Sequence, residues 1–320
     1  MAEEPITPSS DVQPSPASTT AGTRKSPLAF LVILFTCLFF LILVLGAFAI
    51  FGGLPGEEDI KQHKSPSTVN SFNDFDWEKK RDEPIRKVVP LSAISDNLQK
   101  TVIISEDDTF WHHDGVNFQM MKEAWKTNWD RGRYARGAST ITMQLARNAF
   151  LSKEKTIVRK VREIIVARRI EKVLSKGQIL ELYLNIIEWG DHIYGAEAAA
   201  QYHFGKSSRN LDWSEAAMLA GILPNPNRFS PFRRLQTARR FQRRVLDLLV
   251  ISKIIDAQTA EAAFAAPLQL RGQPNLTTPI PADSLTTQPT EVEEDSLFAT
   301  SVPGPPASDS QEPAPADSLK

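Results

Sequence analysis

The sequence has a single cysteine, Cys37, among its 320 residues. An intramolecular disulfide needs two cysteines and a cysteine-based zinc site needs several, so the sequence excludes both. It also lacks a charge imbalance, because 37 Lys and Arg residues stand against 38 Asp and Glu residues. This balance argues against a protein that coats nucleic acid, and we predict no nucleic-acid partner.

One long segment lacks charge altogether. Residues 28–51 read LAFLVILFTCLFFLILVLGAFAIF, and about 20 apolar residues in a helix cross the hydrocarbon core of a bilayer. We therefore predict one transmembrane helix. The alternative is a cleaved signal peptide, because Ala47-Phe48-Ala49 fits a small-x-small cleavage pattern. The length of the run and the long segment before it favour an uncleaved anchor.

The charges that flank this span predict its orientation. Arg24 and Lys25 precede it, whereas Glu57, Glu58 and Asp59 follow it. The positive-inside rule then places the N-terminus in the cytoplasm and everything after the span outside.

Composition divides the rest of the chain into four segments. Residues 1–27 are rich in Ser, Thr and Pro, and residues 273–320 are rich in Pro and acidic residues, so we predict two disordered tails. Residues 52–69 resemble a linker. Residues 70–272 contain all six tryptophans and are long enough for one hydrophobic core. Partners that bind through the tails are an open prediction.

Apolar residues at helical spacing predict a mainly α fold for the globular domain. Ser95 is expected to cap the first of these helices, and Ser175 with Gln178 has the spacing of a capping box. Strand-like runs are limited to Val88–Val89 and Val102–Ile104. The expected helices span residues 97–107, 137–147, 155–174, 176–184, 194–202 and 214–221.

Positive charge is concentrated in one part of this domain. Between Arg131 and Lys172 there are twelve basic and three acidic residues. Such a patch attracts an anion, and phosphate-bearing lipids are the nearest anions for a domain tethered to a membrane. A solvated basic face is the alternative, and we prefer it for the six arginines between Arg233 and Arg244.

Two glutamates have environments that suit catalysis. Glu106 continues the i, i+4 stripe of Leu98 and Val102, so its carboxylate is expected to be desolvated and more basic. Glu163 follows Arg159 by four residues and Lys160 by three, so the cations are expected to hold it ionised. A surface acidic patch and an ordinary surface ion pair are the alternatives for the two positions. Two carboxylates in opposed environments are typical of glycosyl chemistry.

Five blocks of the domain resemble, in order, the motifs of the peptidoglycan glycosyltransferase domain of glycosyltransferase family 51. The chain as a whole resembles the monofunctional form of that family. The matching blocks are Glu106-Asp107-x-x-Phe110-x-x-His113-x-Gly115, Arg136 to Asn148, Arg159-Lys160-x-x-Glu163, Lys176-x-x-Ile179-Leu180-Glu181-x-Tyr183-Leu184-Asn185, and Tyr194-Gly195 to Phe204-Gly205-Lys206. Leu219 to Pro224 matches the closing segment of the family.

The resemblance implies a lysozyme-like fold on the outer face of the cytoplasmic (inner) membrane. It implies an enzyme that polymerises lipid II into glycan strands, releases undecaprenyl pyrophosphate and inverts the anomeric carbon. Glu106 would be the general base, and Glu163 would lie in the donor site. Members of the family are often assisted by a divalent cation such as Mg²⁺ or Mn²⁺, whereas no organic cofactor and no protein metal site are expected. The implied substrate-binding residues are Ser139, Thr140, Gln144, Arg147, Asn148, Arg159, Lys160 and Asn185.

The chain departs from the family pattern at four positions. Asn117, Met143 and His203 stand where Asp, Gln and Tyr are usual, and Arg147 replaces a common Lys. None of these changes removes a glutamate, although Asn117 and Met143 bear on the rate and the donor site. Two other functions stay open: a lysozyme-like lytic enzyme that cleaves glycan, and a catalytically silent membrane-anchored module that scaffolds cell-wall synthesis proteins through its tails. The pair His112-His113 could suggest a metal, but no further ligand spacing supports it.

Overall fold

The computed structural model describes residues 27–63, 67–70, 72, 76, 83–130, 137–152, 154 and 156–273. The predicted tails lie outside the described residues, apart from Pro27 and Gln273 at their edges. The same holds for several predicted basic-patch residues: Arg131, Arg133, Arg136, Lys153 and Lys155. The chain forms two compact units, residues 1–49 and 50–320.

The apolar run forms helix α1, Pro27–Phe51. Its residues from Phe30 to Phe51 are long and apolar enough to cross a membrane. The large side chains along it are exposed, from Leu28 at 70% to Phe51 at 59%, as expected for a helix that lipid surrounds.

The second unit is mainly helical, and this confirms the predicted fold class. Its helices are α2 Glu57–Gln62, α3 Asp96–Glu106, α4 Phe118–Asp130, α5 Ile141–Phe150, α6 Ile157–Val173, α7 Lys176–Ile186, α8 Ala196–Phe204, α9 Trp213–Ile222, α10 Leu235–Ile251 and α11 Ala257–Ala265. Single 3₁₀ turns occur at Leu91–Ala93, Phe110–His112 and Ser208–Asn210.

A small sheet accompanies the helices. It contains β1 Ile85–Arg86, β2 Glu188–Gly190 and β3 Ile193–Tyr194 in the order β1-β3-β2. β1 is parallel to β3, and β2 is antiparallel to it. Neither strand-like run of the sequence forms a strand, and the helix expected over residues 97–107 is present as α3. Val88–Val89 follows β1 as irregular chain, and Val102–Ile104 lies within α3, where its apolar side chains face the core.

Capping residues set where the helices begin. The Ser95 hydroxyl accepts a hydrogen bond from the Leu98 backbone N–H at 3.2 Å, and Ser175 with Gln178 forms the predicted capping box. The helix expected from residue 137 begins instead at Ile141, because Thr140 is its N-cap.

The core is centred on α9, which is buried from Ser214 to Ile222 and packs against α3 and α10. Small residues allow this close approach: a Cβ added to Gly221 would lie 3.0 Å from the backbone of α10. α5, α6 and α7 form the neighbouring layer, with Leu145, Ala167 and Leu184 fully buried. The ends of α3 and α5 are thereby fixed side by side.

Part of the predicted linker, residues 52–69, is docked on the domain. Ile60 of α2 is fully buried against the core, and α2 packs on α6. Arg169 of α6 donates a hydrogen bond to the Pro55 carbonyl at 2.8 Å, and the His63 ring lies 4.7 Å from that of Phe150. This contact was not predicted from the sequence, because a short polar segment with one apolar residue does not indicate which part of the fold it packs against. The other domain boundaries stay predictions.

Candidate active site

One cavity of about 650 Å³ lies where α3, α5 and the sheet meet. Residues from each of these elements line it, together with α6 and the chain after α9. The lining includes polar and charged side chains from all of these parts of the chain: Arg86, Glu106, Asn117, Ser139, Thr140, Gln144, Arg147, Asn148, Arg159, Glu188, Tyr194, Asn225 and Asn227. Six of the nine other predicted catalytic and binding residues therefore share the cavity with Glu106: Ser139, Thr140, Gln144, Arg147, Asn148 and Arg159.

Glu106 is the last residue of α3 and is partly accessible. The Gln144 side-chain amide donates a hydrogen bond to its Oε2 at 2.7 Å. Burial raises the pKa of Glu106, and Asp107 raises it further, while Gln144 and Arg147 oppose the shift. The structure therefore contains a carboxylate of raised basicity that faces a cavity, which a general base requires.

Tyr183 of α7 determines which way the Gln144 amide points. Its hydroxyl lies 3.2 Å from the Gln144 Oε1, to which it donates a hydrogen bond. The amide nitrogen must then face Glu106, so the carboxylate always meets a donor. Tyr183 is fully buried, and sequence reasoning missed this role, since its place in the fourth block was the only signal.

Asp107 and His113 fix the end of α3 to the start of α5. The Ile141 backbone N–H donates to Asp107 at 2.9 Å, and His113 Nε2 lies 3.0 Å from both Asp107 oxygens. The Gly115 backbone N–H donates to His113 Nδ1 at 3.0 Å, so Nε2 carries the proton and the ring is neutral. Among the described residues no group of three His, Cys, Asp or Glu side chains could hold a metal.

Glu163 is buried, and its two cations surround it. It is 1% exposed, it accepts a hydrogen bond from Arg159 Nη1, and Lys160 Nζ lies 3.0 Å from its second oxygen. Lys160 also donates to the Ser139 hydroxyl at 2.7 Å. The predicted contacts of Glu163 are therefore present, but its side chain does not line the cavity. Its contacts suit the positioning of Arg159 and Lys160, and the predicted catalytic role of Glu163 stays a prediction.

Lys160 is held in an unusual electrostatic state. Burial lowers its pKa to about 8, and the nearby Arg147 and Arg159 lower it in the same direction. A lysine in this state is only partly charged a little above neutral pH.

Two predicted binding residues are already satisfied within the protein. The Thr140 hydroxyl donates to the Gly115 carbonyl at 2.6 Å and accepts from the Met143 backbone N–H at 3.1 Å. The Asn185 amide bonds both backbone groups of Val89 and the Glu181 carbonyl, and it does not line the cavity. Both residues hold the walls of the site in place, and their contact with substrate stays a prediction.

Two of the four positions that depart from the family pattern lie in the core, and the other two, Asn117 and Arg147, line the cavity. Met143 is fully buried in the apolar core and does not line the cavity. His203 is fully buried, stacks on Phe232, and has a pKa that burial lowers to about 4. In the cavity lining, the Asn117 amide donates to the Thr109 hydroxyl at 2.9 Å.

A carboxylate whose pKa burial raises shares one cavity with Arg147 and Arg159, and this arrangement is typical of sites for acid–base chemistry on anionic substrates. The sequence profile described as Transglycosylase matches residues 74–250. The chain belongs to the transglycosylase family.

Curated relatives agree with this assignment. A biosynthetic peptidoglycan transglycosylase of Paraburkholderia xenovorans (strain LB400) is 41% identical over 173 residues, which are 53% of this chain and 72% of the relative. One of Thiobacillus denitrificans (strain ATCC 25259 / T1) is 43% identical over 169 residues, or 52% and 72% of the two chains. Among solved structures, penicillin-binding protein 1A from Haemophilus influenzae is 22% identical with a TM-score of 0.36, covering 58% of this chain and 18% of that one.

Proposed function

We propose that the chain joins lipid II units into glycan strands, with release of undecaprenyl pyrophosphate and inversion at the anomeric carbon. As a peptidoglycan glycosyltransferase of the transglycosylase family, it uses lipid II and the growing strand as substrates. One observation carries the mechanism: Glu106, Arg147 and Arg159 line the same cavity.

In the proposed reaction Glu106 takes the proton from the 4-hydroxyl of the acceptor sugar. The acceptor oxygen attacks the anomeric carbon of the donor, and the bond from that carbon to the diphosphate oxygen breaks. The leaving diphosphate keeps the bonding electrons. Arg147 and Arg159 stabilise the charge that develops on it, and this electrostatic contribution is usually large in such sites.

The same cations favour transfer over simple cleavage of glycan. A lytic enzyme breaks a bond between two sugars, whose leaving group carries no diphosphate charge. The carboxylate of Glu163 forms ion pairs with Arg159 and Lys160, and these pairs hold both cations at a fixed position beside the cavity. This arrangement serves an anionic leaving group.

We also propose that a divalent cation, Mg²⁺ or Mn²⁺, reaches the site with the diphosphate of the substrate. The described residues offer no cluster of three ligands, so a resident protein-held ion does not fit them. Such an ion would neutralise diphosphate charge. A chelator is expected to lower the rate without lowering the melting temperature, and a lower melting temperature would contradict this proposal.

The direct test incubates the purified full-length chain with labelled lipid II, followed by separation of the products on a gel. A ladder that muramidase digests is the expected result. Release of soluble fragments from isolated cell walls would support a lytic enzyme instead. Binding of lipid II without any product would support a silent scaffold.

The pH dependence of kcat/KM is expected to be bell-shaped. Glu106 acts ionised, and burial raises its pKa, so the acid limb lies above the ordinary value of 4.5. Lys160 acts charged, so activity falls as the pH rises through about 8. Lys160→Arg keeps its charge throughout this range and is expected to move the basic limb upward. An unmoved basic limb would exclude Lys160 as its cause.

We propose that α1 anchors the chain in the cytoplasmic membrane, with residues from 52 onward on the outer face. Protease added outside spheroplasts should then digest the second unit. Protection of the second unit from the protease would instead place it in the cytoplasm.

A second observation supports contact with lipid: Phe118, Trp125 and Trp129 of α4 are 57%, 73% and 77% exposed. Their spacing puts them on one stripe, and exposed tryptophans are enriched at membrane interfaces.

Tryptophan fluorescence in proteoliposomes tests this contact of α4. Quenchers attached to lipid chains are expected to reach Trp125 and Trp129, so Trp125→Phe with Trp129→Phe should remove most of the quenchable signal. Trp189→Phe is the matched control, because Trp189 is fully buried. Unchanged quenching in the double variant would contradict the contact.

A further inference from the structure

Among the residues that the structure describes, no carboxylate forms an ion pair with the guanidinium of Arg86, which lines the cavity. Arg86 belongs to β1, and its backbone is held by Thr68, whose Oγ1 accepts from the Arg86 N–H at 2.7 Å. Its side chain lines the cavity with its guanidinium carbon 5.2 Å from the centre of the Tyr194 ring. Its Nε is buried without a hydrogen-bond partner in the described part of the chain.

The other cations near the cavity differ from Arg86, because each of them interacts with a carboxylate of the protein. Arg159 and Lys160 share the buried carboxylate of Glu163. Arg147 lies close enough to Glu106 to lower its pKa. For Arg86, no ion pair is formed with any described carboxylate, and burial lowers its pKa. A half-buried charge without a partner costs stability, and such a cost is typical of a binding site.

The neighbours of Arg86 do not neutralise it. Glu188 also lines the cavity, but it accepts a hydrogen bond from the Asn227 amide at 3.3 Å and interacts with Tyr194. Asn225 and Asn227 contribute further polar groups to the lining. A guanidinium beside an aromatic ring and amides presents a planar set of donors, which matches the oxygens of a carboxylate or phosphate.

We propose that Arg86 binds an anionic oxygen group of the lipid-linked substrate, separately from the cations on α5 and α6. The proposal rests on the proposed function and adds a specificity-determining residue to it. Two parts of the substrate carry this chemistry. One is the diphosphate of the second lipid II molecule, and the other is a carboxylate of the stem peptide.

Arg86→Met and Arg86→Lys test the proposal in steady-state kinetics with lipid II. Met retains an apolar stem over Tyr194 without charge, and Lys retains the charge without the planar fork. Loss of a hydrogen bond to a charged group is expected to raise KM about 10-fold or more in Arg86→Met, with kcat within about threefold of wild type. Arg86→Lys should recover part of this loss.

Lys87→Met is the matched control. Lys87 is the next residue, lies over the Phe72 ring and does not line the cavity, so its KM should not change. A KM for Arg86→Met within twofold of wild type would overturn the proposal. So would an equal rise in KM for Lys87→Met. If Arg86→Met lowers the melting temperature, the KM of Arg86→Lys, which keeps the charge over Tyr194, decides the question.

Two further arms identify the source of the anion. The first arm uses lipid II that lacks the stem peptide. If Arg86 binds a carboxylate of that peptide, wild type should bind this substrate more weakly than lipid II, whereas Arg86→Met should bind both equally. With a soluble prenyl diphosphate as inhibitor, a diphosphate ligand predicts weaker inhibition of Arg86→Met than of wild type. If neither arm separates the two proteins, Arg86 does not bind an anion.

The failure of this inference can be told apart from the failure of the proposed function. An inactive wild type would contradict polymerisation, whereas an active wild type with an equally active Arg86→Met would contradict only the role of Arg86. If wild type is inactive, equilibrium binding of fluorescent lipid II to wild type and Arg86→Met still tests the anion contact. Equal affinities would then overturn it.

Discussion

Glu106→Gln is expected to lower the polymerisation rate by a factor of about 10²–10⁴, the usual contribution of a general base. Glutamine has nearly the same shape as glutamate but cannot accept the proton of the acceptor hydroxyl. Lipid II binding should persist, because Arg147 and Arg159 are unchanged. The measurement is the initial rate of glycan formation with labelled lipid II, alongside an equilibrium binding assay.

The same variant is expected to be at least as stable as wild type near neutral pH. The folded pKa of Glu106 is raised, so the folded state holds its proton more firmly than the unfolded state. The free energy of unfolding therefore falls as the pH rises from about 4.5, the ordinary pKa of a glutamate, through the raised pKa of the folded state. Glutamine does not ionise, so the variant avoids this loss of stability. An inactive variant with an unchanged or higher melting temperature would separate catalysis from folding.

Glu261→Gln is the control for Glu106→Gln. Glu261 pairs with Arg243 on the exposed surface of α10 and α11, away from the cavity lining. Its replacement should leave the rate unchanged. Polymerisation by Glu106→Gln at a rate near wild type would contradict the assignment of the base.

Glu163→Gln is expected to lower activity about 5–10-fold at pH 8 and much less at pH 6. The carboxylate supports the charge on Lys160, whose pKa is already about 8 because burial, Arg147 and Arg159 lower it. Without Glu163 this pKa falls further, so Lys160 is neutral over more of the working range. The basic limb of kcat/KM should move down by about one pH unit or more.

Stability also falls in Glu163→Gln, because breaking a buried ion pair costs about 3–5 kcal/mol. The lower end of this range is expected, since the side chains of Arg159 and Lys160 are 15% and 38% exposed and can turn toward water. Denaturant unfolding measures this loss.

Glu215→Gln is the matched control for Glu163→Gln. Glu215 is 7% exposed and pairs with Lys206 at 2.6 Å, but neither residue lines the cavity. Its replacement also removes a carboxylate paired with a lysine, but the basic limb should not move. Equal loss of activity at both pH values in Glu163→Gln would rule out the positioning role through Lys160.

Contacts within one helix were predictable from the sequence. The stripe of Leu98, Val102 and Glu106 has its first two members fully buried, as its spacing indicates. The cations four and three residues before Glu163 both contact it. Helix geometry fixes such neighbours locally, so no knowledge of the fold is needed. The catalytic roles of these residues stay predictions.

Contacts between distant segments were not predictable. Asn185 bonds Val89, which lies 96 residues earlier, and so lies in the wall of the site rather than at its surface. Arg86 reaches the cavity only because β1 pairs with β3. A single sequence contains no periodicity that reports such pairings. Met143 is a further case, since its block matches the family motif while its side chain faces the core.

The docked segment after α1 restricts where the chain can be shortened to obtain a soluble form. Composition alone would place the cut near residue 70, where the globular domain was expected to begin. Such a cut would remove Ile60 from α6 and leave apolar core surface open to water, which favours aggregation. A cut between Phe51 and Leu54 removes the apolar helix and keeps the segment that covers the core, so it is the better place to shorten the chain.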